Sequence, residues 1–133
     1  METTMFPESL LDGVPWVFSE TSYDTLDEFI AAVSEYQVAM EQDANWNASA
    51  VAIEARKLAI STEIYNENEE EVDVTFEVTT KAEAFMNGEL LFQLHNWFAS
   101  KRQAGWEVGD HCFFEGLHLE DADAGTYGCY LGS

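Results

Sequence analysis

The stretch from Asn87 to Leu119, NGELLFQLHNWFASKRQAGWEVGDHCFFEGLHL, predicts a helix, a turn and an aromatic strand, and this combination decides the fold. Apolar residues recur at three- and four-residue steps, as on one face of a helix, at Leu90, Leu91, Leu94, Trp97 and Phe98. We expect Asn87 to cap the start of this helix, and Lys101 and Arg102 suit its negative C-terminal end. Gly105 is a natural stop. An apolar helix face of this kind has to be covered, and we expect a sheet built from the rest of the chain to cover it.

The remaining elements are predicted from alternation and capping signals. They are a first strand over Val14–Ser19, a helix that starts with a capping box at Thr25 and runs to about Glu41, a long bulged strand over Ala50–Tyr65, a strict alternation from Val72 to Val78, and a closing hairpin of His111–Leu119 and Thr126–Leu131. For residues 50–57 a helical start is the alternative. The sequence thus predicts one α+β domain over residues 1–133, with a loose N-terminal arm over 1–13. Its mostly antiparallel sheet and two main helices follow the order β-α-β-β-α-β-β.

The charge of the chain is strongly negative and unevenly distributed. It carries 26 Asp and Glu residues against 5 Lys and Arg, which gives a net charge of -21 over 133 residues. No Lys or Arg occurs before Arg56 or after Arg102. Most carboxylates therefore lack a basic partner, and such a surface attracts basic proteins and repels nucleic acid and anionic lipids. Solubility, or adaptation to a salty cytoplasm, is the alternative explanation of the acidity.

Two groups of acids are predicted to be exposed and free of countercharges, and we expect them to bind a basic partner. The first lies on and just before the first helix, and the second lies in the connection before the alternating strand and at its start. The residues are Asp24, Asp27, Glu28 and Glu35 in the first group, and Glu67, Glu69, Glu70, Glu71 and Asp73 in the second. We expect direct contact neither with nucleic acid nor with a membrane, because no segment approaches the roughly 20 apolar residues of a membrane span. The N-terminus lacks the features of a secretory signal, so a cytoplasmic location is predicted.

Catalytic and metal-binding patterns are weak in this chain. No H-E-x-x-H, C-x-x-C or Gly-rich phosphate loop occurs, so no cofactor and no resident metal are expected. His111 and His118 fall on opposite faces of the predicted strand, which keeps them from converging on one ion. Glu115 stands in an otherwise apolar strand, and a small metal-dependent enzyme that uses His111 and Glu115 is kept as a minor alternative. His95 is predicted to lie at the edge of the core.

Three segments, GELLFQLHNWF from Gly88, GDHCFFEGLHL from Gly109 and the closing YGCYLGS, resemble small bacterial immunity proteins of polymorphic or contact-dependent toxin systems. The resemblance covers about the last third of the chain, and DHCFFEGL is its most specific part. It implies an intracellular α+β protein that neutralises a toxin domain by tight binding and has no catalytic activity of its own.

The charge distribution points to the same function on separate grounds. Toxin domains that cut nucleic acid are basic, so an inhibitor with a dense negative face associates quickly and blocks the nucleic-acid groove. The alternative is a nucleic-acid mimic from a phage or another mobile element, whose carboxylates imitate a phosphate track and act on a host defence or DNA-binding protein.

Overall fold

A computed structural model describes residues 6–11, 14, 16–39, 47–108 and 113–132, and it confirms the α+β class with a mostly antiparallel sheet and two helices. The elements in chain order are β1 (Ser9–Leu10), α1 (Leu26–Ala39), β2 (Val51–Ile53), β3 (Lys57–Tyr65), β4 (Glu71–Thr79), β5 (Phe85–Met86), α2 (Asn87–Gln103), β6 (Phe113–Asp121) and β7 (Thr126–Gly132).

The main sheet has five strands in the order β1-β6-β7-β3-β4, and β2 pairs with β5 in a separate two-stranded sheet. Every pairing is antiparallel except that of β3 with β7, which joins the hairpin β3–β4 to the hairpin β6–β7. That parallel ladder is short and runs from Ala59 opposite Thr126 to Ser61 opposite Gly128. Beyond Ser61 the two strands part, which creates a gap in the sheet.

Helix α2 covers the inner face of the sheet, as its apolar face predicts. Leu90, Leu94 and Phe98 have no solvent exposure, and the half-buried ring of Trp97 stacks on that of Phe76 from β4 with centroids 4.0 Å apart. Burial of such side chains contributes about 1.5–3 kcal/mol each before the loss of conformational entropy is counted. Helix α1 packs on α2 and inserts Phe29 into this core. The sheet, α2 and α1 are therefore stacked, and neither of the two described helices lies on the outer face of the sheet.

The ends of the helices agree with the sequence in part. The Thr25 hydroxyl accepts a hydrogen bond from the Glu28 amide at 3.2 Å, as the capping box predicts, and α1 ends at Ala39 within the described residues. The predicted cap of α2 was wrong. Met86 is the N-cap without a side-chain bond, and Asn87 instead donates its amide to the Asn47 carbonyl oxygen at 3.0 Å. At the other end Gly105 adopts a φ of 95°, which only glycine takes up readily, as the predicted stop requires.

The predicted first strand over Val14–Ser19 was wrong as well. Within it, Val17 makes a single bridge to Phe113, because the buried side chains of Trp16 and Phe18 hold this segment against the helices. The strand that adds to the sheet edge is β1, which lies in the arm that was expected to be loose. Leu10 of β1 pairs with Leu117 and is 4% exposed, so burial fixes this part of the arm. Residues 1–5, 12 and 13 of the arm lie outside the described part.

The predicted single strand over Ala50–Tyr65 is divided in two. Ile53 and Leu58 are both buried. They are five residues apart, and because successive side chains of a regular strand point to opposite faces, one regular strand would place them on opposite faces. The chain therefore leaves the ladder at residues 54–56, so that β2 pairs with β5 and β3 pairs with β4. A helical start for residues 50–57 is also wrong, since residues 51–53 form β2.

Candidate functional site

All nine acids that were predicted to bind a partner are exposed, but the fold distributes them over two surfaces. The acids of the first group lie on or beside α1, in the layer farthest from the sheet. Those of the second group lie on β4 and on the turn that precedes it. The two groups therefore cannot act as one continuous patch, and each has to be assessed by its own geometry.

The group on α1 has a structural explanation for part of its charge. Asp27 and Glu28 occupy the first turn of the helix, where the positive end of the helix dipole stabilises carboxylates by about 0.3–1 kcal/mol each. Glu28 also contributes the amide that Thr25 caps. Asp24 precedes the helix, and Glu35 is exposed in its third turn. Stabilisation of the helix thus explains the presence of Asp27 and Glu28, two of these four acids, and no binding partner is needed to explain them.

The turn between β3 and β4 is held in a defined shape by Asn66. Its side-chain oxygen accepts hydrogen bonds from the Asn68 amide at 2.9 Å and from the Glu70 amide at 3.0 Å. Glu69 has a backbone φ of 62°, which residues other than glycine and asparagine rarely adopt. The exposed carboxylates of Glu67, Glu69 and Glu70 are therefore displayed on an ordered turn.

The outer face of the sheet brings Glu71 and Asp73 together with a third acid, Glu63, that the sequence analysis did not select. Glu63 lies directly opposite Asp73 in the antiparallel ladder, and Tyr65 lies opposite Glu71. Like charges at opposed positions repel each other. The charge of Glu71 above all, and then that of Asp73, raises the pKa of the exposed Glu63 carboxyl above its usual value. The strict alternation of β4 and the short turn at 66–70 are signals that would have placed Glu63 across from Asp73.

A cleft of about 670 Å³ opens beside these acids, where β3 and β7 part. Its apolar lining residues are Val108 and Cys129, which are buried at its floor, and the partly buried Leu131. Thr62 bridges the gap by donating its hydroxyl to the Cys129 carbonyl oxygen at 3.3 Å. Further along β3, the amide of Tyr65 donates to the carbonyl oxygen of Glu107 at 2.9 Å, which closes this end of the gap.

Glu120 is a second acid of the cleft that the sequence analysis missed. Its Oε1 atom accepts a hydrogen bond from the Ser61 hydroxyl at 2.6 Å, so the residue is positioned from across the sheet. The lining is completed by polar and acidic residues of β3, β4 and β7. All the lining residues are Ser61, Thr62, Glu63, Tyr65, Glu71, Asp73, Thr75, Val108, Glu120, Gly128, Cys129 and Leu131, and none of these is basic.

Three of the five Lys and Arg residues, Lys57, Lys101 and Arg102, are engaged elsewhere. Among the described residues two ion pairs occur, Lys57 with Glu77 at 3.4 Å and Arg102 with Glu107 at 3.8 Å, and neither involves any of the nine predicted acids. Lys101 lies over the ring of Trp106, with its nitrogen 4.8 Å from the ring centroid. The acids of the cleft and of the turn are thus left without a countercharge from these groups.

Three further residues with side chains suited to chemistry lie in the described part of the chain, His95, Glu115 and Cys129. His95 is fully buried, not at the edge of the core, and burial lowers its pKa. Glu115 is exposed beside Gly116 in an irregular part of β6, where two residues face one of β7. Cys129 is a free thiol, and burial raises its pKa well above the usual range. His111 and Cys112 are outside the described residues.

A search of the described residues for three or more His, Cys, Asp or Glu side chains that are arranged to hold a metal ion finds none. The carboxylates of Glu63, Glu71 and Asp73 therefore do not form such a site. The two helices described here are also too short or too polar to cross a membrane.

Comparison of the chain with protein-family models, with curated proteins and with solved structures finds no match. The function therefore has to be argued from the geometry and the charges themselves.

Proposed function

We propose that this protein is a cytoplasmic inhibitor of the immunity type, which binds a basic toxin domain tightly and carries out no catalysis itself. The observation that carries the proposal is the outer face of the sheet with its adjoining turn, where Glu63, Glu71 and Asp73 are exposed side by side and no ion pair with another described residue involves them. A folded protein gains no stability from such an arrangement, since like charges at opposed strand positions repel each other. A cationic partner would supply the countercharge and offset this repulsion, so the arrangement favours binding of such a partner.

The net charge of -21 favours fast capture of such a partner. Electrostatic steering raises association rates from about 10⁵–10⁶ M⁻¹s⁻¹ towards 10⁸–10⁹ M⁻¹s⁻¹ at low salt. A toxin domain that cuts nucleic acid needs basic side chains to neutralise phosphates. A negative inhibitor that occupies the same basic groove excludes the substrate directly.

The segments that resemble immunity proteins lie mainly in the scaffold, and of the proposed contact surface they contribute only the β7 residues Gly128, Cys129 and Leu131 beside the acids. Residues 88–98 belong to α2, and the described parts of the other two segments belong to β6 and β7. The resemblance therefore supports the architecture of an immunity protein. The acids on β3, β4 and their connecting turn lie outside the resembling segments, as expected if the contact surface is adapted to one particular toxin.

A nucleic-acid mimic is the second candidate, and the spacing of the acids on β4 favours it. Glu71, Asp73 and Glu77 all lie on the outward side of a nine-residue edge strand. Alternate residues of a strand are about 6.8 Å apart, so Glu71 and Asp73 place two carboxylates at that spacing, while the charge of Glu77 further along the strand is paired with Lys57. The identity of the partner separates the two candidates. A toxin encoded beside this chain indicates immunity, and a host nuclease or DNA-binding protein indicates mimicry.

Co-expression with the adjacent reading frame tests the proposal. We expect the protein to restore the growth of cells that express the neighbouring toxin, and to copurify with the toxin in a stable complex. Reversing the charge of Glu69 and Glu70 to lysine should lower the association rate and weaken its dependence on salt. Reversing Glu54 and Glu83, which are exposed on other connections and change the net charge equally, should have a smaller effect.

Two results would contradict the proposal. One is growth that stays arrested although the protein is folded and present in excess. The other is an equal loss of association rate in both charge-reversal variants, which would show that net charge acts without a defined contact surface.

A further inference from the structure

We propose that the cleft between β3 and β7 on the outer face of the sheet receives an arginine side chain of the basic partner. The inference rests on the proposed function and names the part of the surface that anchors the complex. Exposed acids outside the cleft and the adjoining turn then act mainly through the long-range field.

The cleft combines the two environments that an arginine side chain requires. The partly buried Leu131 and the exposed ring of Tyr65 offer apolar surface for the methylene groups of arginine, while Glu63, Asp73 and Glu120 supply carboxylates for the guanidinium group. Its volume of about 670 Å³ falls within the range of about 300–1,000 Å³ found for small-ligand sites. The site is thus a concave surface and not only a concentration of acids.

The acceptors in the cleft have unused capacity. Glu120 receives one hydrogen bond from Ser61, whereas an ionised carboxylate accepts about four. The same bond fixes the position of Glu120, so the carboxylate is oriented before the partner arrives. Pre-orientation lowers the entropy that is lost when the complex forms.

The charges in the cleft are complementary to a cation and repel each other without one. The carboxyl of Glu63 has a raised pKa because of the charges on Glu71 and then on Asp73. A guanidinium group bound between them would replace this repulsion with charge-assisted hydrogen bonds.

Tyr65 favours arginine over lysine as the occupant. It lines the cleft, and it is 37% exposed although it is a large aromatic residue. The planar guanidinium group stacks on aromatic faces and binds carboxylates with two parallel hydrogen bonds, whereas an ammonium group acts as a compact point charge. Aromatic residues are also enriched among those that dominate binding energy at interfaces.

Titration by nuclear magnetic resonance with a defined probe tests the site. The ¹⁵N-labelled protein is titrated with the peptide acetyl-Gly-Ser-Gly-Arg-Gly-Ser-Gly-amide, and separately with the same peptide that carries neutral citrulline in place of arginine. We expect the arginine peptide to shift the amide signals of Ser61, Glu63 and Gly128, and the citrulline peptide to leave them unchanged. Shifts concentrated on α1, or no shifts at millimolar peptide, would overturn the proposal. Tighter binding of Ca²⁺ at the same amides would also overturn it.

Two matched double variants separate the cleft from the long-range field. Glu63→Gln with Asp73→Asn removes two charges from the cleft, and Asp24→Asn with Glu35→Gln removes two from the α1 surface. We expect about tenfold weaker binding of the peptide for the first pair, because each carboxylate contributes a charge-assisted hydrogen bond, and less than twofold for the second. Equal losses in the two pairs would refute the site.

Thermal unfolding shows whether the cleft variant loses a contact or its fold. Because Glu63 and Asp73 repel each other, their neutralisation should raise the midpoint of unfolding while it weakens binding. Retention of full peptide affinity by this variant would overturn the proposal.

The outcomes also distinguish this inference from the proposed function. If the protein binds the arginine peptide at the cleft but does not protect cells from the neighbouring toxin, the function is wrong and the site stands. If a variant without the cleft carboxylates protects cells fully, the site is wrong and the function stands.

Discussion

Replacement of His95 by glutamine is expected to destabilise the fold by about 3 kcal/mol at pH 8 and to remove a pH dependence that the imidazole imposes. His95 is a buried residue of α2 that contacts the segment carrying Trp16 and Thr21. The indole Nε1–H of Trp16 donates to Nδ1 at 3.1 Å, and Nε2 lies 2.6 Å from the Thr21 carbonyl oxygen. Because an indole only donates and a carbonyl only accepts, the ring must be neutral with its hydrogen on Nε2.

The magnitude follows from these two bonds and from the rings around His95. Glutamine can keep at most one bond with good geometry, and a buried polar group without a partner costs about 1–3 kcal/mol. The imidazole also has its centroid 5.2 Å from that of Tyr23 and 5.4 Å from that of Phe29. Loss of an aromatic contact adds about 0.5–1.5 kcal/mol. Together these contributions give about 3 kcal/mol.

The pH dependence has a definite sign. Burial lowers the pKa of folded His95 below 6.5, so between that lower pKa and 6.5 the unfolded chain binds a proton that the folded chain does not. The stability that His95 contributes is complete above pH 6.5 and is lost as the pH falls, at a rate of up to about 1.4 kcal/mol per pH unit. The difference in stability between wild type and His95→Gln should therefore shrink below pH 6.5.

Urea unfolding at constant ionic strength, followed by tryptophan fluorescence, measures this difference from pH 8 down to pH 5.5. Protonation of the many carboxylates affects both proteins alike, so it cancels when the two free energies of unfolding are subtracted. A difference that is constant with pH would show that folding leaves the pKa of His95 unchanged, and a difference that grows on acidification would show that the folded protein favours the charged imidazole. Either result would refute the assignment.

Three further experiments test local features of the fold by equilibrium unfolding. Glu69→Gly should stabilise the protein by about 1 kcal/mol, because glycine adopts the φ of 62° without strain. The control Glu70→Gly should not stabilise it, and equal effects of the two substitutions would exclude backbone strain as the cause. Thr25→Ala should cost about 1 kcal/mol through loss of the N-cap of α1, and a neutral result would show that the 3.2 Å bond contributes nothing. A double-mutant cycle that replaces Phe76 and Trp97 with leucine should give a coupling of about 0.5–1.5 kcal/mol, and additive effects would contradict the stacked geometry.

The elements that local sequence specifies were predicted most accurately. The apolar repeat of α2 and the alternation of β4 each determine which side of the element is buried, and the class and main pairing of the fold follow from them. Positions that depend on distant contacts were predicted less well. Residues 14–19 have the composition of a strand, yet Trp16 and Phe18 make this segment part of the core instead. The prediction that Asn87 caps α2 was wrong because the Asn87 side chain instead donates a hydrogen bond to the Asn47 carbonyl oxygen, forty residues away in sequence.

The sequence by itself determined an acidic α+β domain, since composition, periodicity and capping act over a few residues and need no knowledge of the whole chain. The tertiary structure alone decided where the acids meet. Glu63, Asp73 and Glu120 come from three strands, and they line one cleft only because β3 pairs in parallel with β7 for three residues and then separates from it. Such a site depends on how hairpins are placed side by side, which the free energy of the whole packed sheet determines.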